Sequence, residues 1–138
     1  MLTDSDRDIF AKMADIIIPA WQRMPSASAV GVHKELLDAV LRARPDLVEG
    51  VKSAIEACRG RSPGEGVNDL FRSNRAAFDA FTLAATGAYY MDDTVRKLVG
   101  YPGQESPPYD PWETPDYLTD GLLERVTRRG AIYKSTPR

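Results

Sequence analysis

Apolar residues recur along most of this chain at three- and four-residue spacing, and that period predicts helices joined by short breaks. Ile9, Phe10, Met13, Ile16 and Ile17 form the first stripe. Thr3 stands where an N-cap belongs, with Asp6 three residues later as a variant capping box, so a helix is expected over 3–18, ended by Pro19. A loop over 20–28 holds Pro25 and two serines. Ser28 is placed to cap a second helix to about Ala43, with Val32, Leu36, Leu37, Val40 and Leu41 as its stripe. Pro45 opens a third helix carrying Leu47, Val48, Val51, Ala54, Ile55 and Cys58.

Gly60, Pro63, Gly64 and Gly66 read as the next loop. A long helix from about Val67 to Met91 follows, with a break near Ser73. Its segment Ala84-Ala85-Thr86-Gly87-Ala88 is small enough to admit a neighbouring backbone, most simply another helix. A glycine inside a helix costs about 1 kcal/mol relative to alanine, and close packing would offset that. Asp92 or Asp93 can cap a short helix, Thr94 to Val99, which Gly100 would end.

The pattern then changes. Residues 101–117 hold Pro102, Pro107, Pro108, Pro111 and Pro115 among Tyr101, Tyr109, Trp112 and Tyr117. Such a segment is neither helix nor central strand. At about 3.1 Å per residue it could span roughly 50 Å when extended. A last helix is expected over 119–128. No alternating strand pattern and no repeat is visible. The reading is an all-α single domain: a helical bundle over 3–100, an extended Pro/aromatic-rich arm over 101–117, and a C-terminal helix and tail over 118–138.

A chain of 138 residues with 43% hydrophobic and 28% charged residues can build its own core without staples. A net charge of −2 argues against nucleic-acid binding, which needs a concentrated basic face. The one basic cluster, Arg125, Arg128 and Arg129, reads as a solvated helix end. His33 and Cys58 are single in their kinds, too few for a zinc site of the usual three or four such ligands. Cys58 excludes an internal disulfide and reads as a half-buried helical cysteine, although a lone thiol could pair with another chain. No membrane span is visible. Nor is there a basic region followed by an apolar run, so the expected location is cytoplasmic, or periplasmic if the chain is exported with a partner or a leader was trimmed.

Catalytic patterns are missing: no nucleophile elbow, phosphate loop or dinucleotide-binding glycine pattern. His33 has no second histidine to complete a pair and reads as a surface residue. Asp92-Asp93 point apart and read as caps rather than an acid–base pair. The arm is the informative feature. Exposed tyrosine and tryptophan on a proline-stiffened strip suit a protein interface, though the same aromatics could plug the domain's own core.

Residues 89–103 read Tyr-Tyr-Met-Asp-Asp-Thr-Val-Arg-Lys-Leu-Val-Gly-Tyr-Pro-Gly. Tyr89, Tyr90, Asp92, Val95, Gly100, Tyr101, Pro102 and Gly103 resemble the pattern of the gluconate 2-dehydrogenase subunit 3 family. The Ile-Ile-Ile-Pro run at 16–19 and Pro107-Pro108 leading to Asp116-Tyr117 agree with it. The resemblance implies a non-catalytic small (gamma) subunit in a heterodimer, with no cofactor of its own. Its partner would be a large FAD-containing subunit of the glucose-methanol-choline (GMC) oxidoreductase type, with electrons often passing on to a cytochrome c subunit. Tyr89, Tyr90, Tyr101, Pro102, Gly103, Tyr109, Trp112 and Tyr117 are then the expected partner-interface residues. Two other classes compete: a helical protein-binding module unrelated to redox chemistry, and a small helical enzyme using Asp92, Asp93 or His33.

Overall fold

The computed structural model describes residues 2–104, 119–130 and 132. Among them the regular structure is helical: α1 (Asp4–Ile17), a π-helical stretch (Val32–Leu36), α2 (Leu37–Ala43), a 3₁₀ turn (Pro45–Leu47), α3 (Val48–Cys58), α4 (Pro63–Ser73), α5 (Arg75–Met91), α6 (Asp93–Leu98) and α7 (Glu124–Thr127). The chain divides into two compact units, residues 1–103 and 104–138.

In the second unit, α7 is one turn between turn residues, shorter than the helix expected over 119–128. The Thr127 hydroxyl donates to the Leu123 carbonyl, and Arg128 pairs with Glu124 at 3.3 Å. Arg125, Arg128 and Arg129 are exposed.

In the first unit, α5 is the hub, and α2, α3, α4, α6 and the π stretch all pack on it. Small side chains permit this: Ala77, Ala84, Ala85 and Ala88 are buried along it. Phe81 on α5 meets Phe10 on α1 edge-to-face, with ring centroids 5.3 Å apart, and both are fully buried. The closest approach is elsewhere than expected. A Cβ on Gly50 of α3 would lie 2.5 Å from the Ala80 Cβ, whereas one on Gly87 would meet Val40 at an ordinary 3.6 Å. The run 84–88 therefore lies against a neighbouring helix, α2, without requiring glycine there.

Helix ends are set by local chemistry in some places and by tertiary contacts in others. At α1 the capping box forms: the Asp6 amide donates to the Thr3 hydroxyl, and the Thr3 amide donates to the Asp6 carboxylate at 2.9 Å. Asn74 breaks the long helix and caps α5 through the Ala77 amide. Pro45 opens a 3₁₀ turn before α3 rather than α3 itself. The expected loop over 60–66 is partly helix: Pro63 starts α4, and Gly66 inside it packs on Cys58, where a Cβ would come within 3.0 Å of Sγ. Cys58 is buried rather than half-buried, and burial pushes its thiol pKa up.

Ser28 does not cap the second helix. Its amide and hydroxyl donate to the Asp15 carboxylate at 2.8 and 2.6 Å. The chain turns at Gly31 (φ 74°), and Lys34 is non-helical at φ −102°, ψ −133°. Arg7 of α1 reaches the opened backbone, donating to the His33 and Lys34 carbonyls at 2.9 and 3.3 Å. Its other terminal nitrogen donates to both Asp38 carboxylate oxygens, at 2.8 and 3.0 Å.

Gly50→Ala is expected to lower stability by about 1–2 kcal/mol, because overpacking against a rigid Ala80 outweighs the helix-propensity gain. Gly64→Ala, with open space around it, is expected to be neutral or stabilising by up to about 1 kcal/mol. Urea titration of both variants checks the contrast.

Asp6 gives a pH dependence. Hydrogen bonds from the Thr3 amide and hydroxyl, then from Arg59, lower its pKa from 3.8 to about 2. The folded value lies below the unfolded one, so its contribution is whole above about pH 4 and is lost as pH falls towards 2. In thermal melts between those values, Asp6→Asn is expected to remove part of the slope.

Candidate functional site

The candidate surface lies where α5 gives way to α6. The two adjacent tyrosines there have opposite fates. Tyr89 is 3% exposed, and its hydroxyl donates to the Pro25 carbonyl at 2.7 Å. Burial raises its pKa, and the nearby Tyr90 and Asp92 add to that. Tyr89 is thus a core residue of this unit, not part of an exposed surface, and its polar atom is already spent. Tyr90 stands over it edge-to-face at 5.6 Å and is 57% exposed.

Beyond Tyr90 the chain is fixed by two caps. One Asp92 oxygen accepts from the Thr94 and Val95 amides at 2.9 and 3.0 Å, so this carboxylate starts α6. At the other end the Tyr101 amide donates to the Arg96 carbonyl at 2.9 Å, and the Gly100 amide donates to that of Lys97 at 3.2 Å. This pair of bonds, with Gly100 at φ 72°, is a Schellman stop. It explains the glycine physically: Gly100 supplies the left-handed turn, and the backbone amide of the next residue closes it. Tyr101 is 53% exposed, Val99 49% and Met91 45%, so with Tyr90 four apolar or aromatic residues within 90–101 are exposed. Pro102 is exposed and Gly103 half-buried. Tyr109, Trp112 and Tyr117 lie outside the described residues.

The residues considered for catalysis are not brought together. Asp92 is engaged as a cap, and Asp93 is exposed, 3.6 Å from Arg96. His33 sits on the π stretch, where the carboxylates that act on it are Asp8 and Asp15. It is half-buried, more enclosed than the surface residue expected. Among the described residues no group of three or more His, Cys, Asp or Glu side chains is placed to hold a metal ion. None of their helices is long and apolar enough to cross a membrane.

Trp21 is the residue that sequence reasoning missed. It is 71% exposed on a tight reversal in which Trp21 and Met24 exchange backbone hydrogen bonds of 3.0 and 2.8 Å, with Gln22 at φ 51°. A tryptophan between two prolines, Pro19 and Pro25, is the available signal. Pro25 is also the residue that Tyr89 bonds, so this reversal is tied to the base of the Tyr90 corner.

No protein-family model, curated protein sequence or solved structure matches the chain.

Tyr89→Phe removes a buried hydrogen bond and leaves the Pro25 carbonyl without that donor. It is expected to cost about 1–2 kcal/mol. Tyr90→Phe is expected to change stability by less than about 0.5 kcal/mol. Parallel chemical denaturation checks both.

Proposed function

We propose that the chain is a non-catalytic small (gamma) subunit of an FAD-dependent sugar or alcohol dehydrogenase complex, which stabilises a large GMC-type flavoprotein and assists its maturation. The observation that carries this reading is the fixed corner at Tyr90, Met91, Val99 and Tyr101. Four apolar or aromatic side chains are left exposed there on backbone held by an aspartate cap and a Schellman stop. Large exposed aromatics on rigid backbone suit a protein interface, because little side-chain entropy is lost when they dock. The same segment carries the residues resembling the gluconate 2-dehydrogenase subunit 3 pattern, and the proline-aromatic arm follows it. FAD would belong to the partner, and electrons would leave through that partner or a cytochrome c subunit. The compartment would be that of the flavoprotein.

A companion that binds only the native flavoprotein raises that protein's stability by an amount that grows with the logarithm of its concentration relative to the dissociation constant. The large subunit expressed with this chain is expected to show higher soluble yield, flavin content and melting temperature than the large subunit alone. Equal values would refute the proposal. The double substitution Tyr90→Ala, Tyr101→Ala is expected to weaken association by about tenfold or more while the free chain stays folded. Unchanged affinity would remove this corner from the interface.

A further inference from the structure

We propose that His33 is a proton-operated release for segment 26–36: adding a proton to its buried ring nitrogen loosens the Arg7 clasp and frees the segment from α1.

The geometry supplies both halves of the device. His33 Nδ1 is buried with no hydrogen-bond partner among the described residues. A neutral imidazole with its proton on Nε2 leaves only a lone pair there. Protonation puts an N–H donor in the same place with no acceptor to take it. The new charge falls beside two cations, Arg7 of α1 and Lys34 of the same turn, and is opposed by Asp8 and Asp15 of α1. Asp15 is already engaged by Ser28, and Asp38 of α2 is held by Arg7 itself. α5, which also packs on this stretch, carries no charged residue after Asp79. Burial first, then the cations, lowers the imidazole pKa below its ordinary 6.5.

The clasp is local to that charge. Arg7 donates to His33's own carbonyl and to that of Lys34, whose non-helical backbone interrupts the helical path there. When His33 becomes a cation, Arg7 is repelled from the residue it holds. The folded pKa lies below the unfolded one, so the segment's stability is whole above about pH 6.5 and declines as pH falls through the folded value. Release would also reach Pro25, which precedes the segment and holds the Tyr89 hydroxyl at the base of the Tyr90 corner. The device holds whether or not the chain serves a flavoprotein.

Hydrogen exchange on the full chain at about pH 5.5 and 7.5, corrected for intrinsic rates, tests it. Amides of 27–36 are expected to open about threefold or more faster at the acid value, relative to those of α5. His33→Gln is expected to abolish the difference. No acid effect in the unsubstituted chain, or the same effect in His33→Gln, would overturn the proposal. Titration of the His33 ring by NMR in the unsubstituted chain gives a readout that needs no variant. A midpoint below 6.5 is expected, and one at or above it would overturn the proposal.

Discussion

How closely the other helices can approach α5 governs the first unit. Every other helical element of the unit packs against this one helix, and ordinary side chains on every face would hold them apart. Alanines along α5 thin it where Phe81, Tyr89 and their neighbours must also be enclosed. Gly50 completes the arrangement from the other side, letting α3 come so near that one methyl group would strike Ala80. Close packing makes such contacts intolerant of small volume changes. The packing around α5 also decides which member of the Tyr89-Tyr90 pair faces inwards.

The second constraint is polar. Residues 26–36 do not run as a helix capped by Ser28, because Asp15 of α1 takes the amide and the hydroxyl of that serine. The chain instead enters a π stretch whose exposed carbonyls are met by Arg7. One arginine thus satisfies a backbone defect and ties it to α2 through Asp38. That joint is a natural place for a charge-sensitive element, and the only histidine of the chain occupies it.

The legible features were those whose chemistry is complete within about four residues. The Thr3–Asp6 box, the Asp92 cap, the Gly100 stop and the break near Ser73 all close on their own neighbours. The illegible ones need a partner far along the chain. Gly64 and Gly66 read as loop, yet both lie inside α4, and only the distant Cys58 against Gly66 shows why a side chain is missing there. Ser28 reads as a cap, but Asp15 is the acceptor that claims it. Adjacent positions on a helix differ by about 100°, so Tyr89 and Tyr90 could be told apart only once the neighbours of α5 were known. Trp21 carried a fair signal in its flanking prolines, outweighed by the arm's richer aromatic content.

The functional account stands on what this chain leaves exposed at a rigid corner and on the pattern its residues resemble there. Its most direct test is the visible absorption spectrum of the native complex isolated through this chain. The account predicts oxidised-flavin absorbance in roughly equimolar amount, bleached by a sugar or alcohol substrate, with none remaining on the chain once the large subunit is stripped away. A chain that elutes without flavin, or that reduces a dye acceptor by itself after stripping, would contradict it.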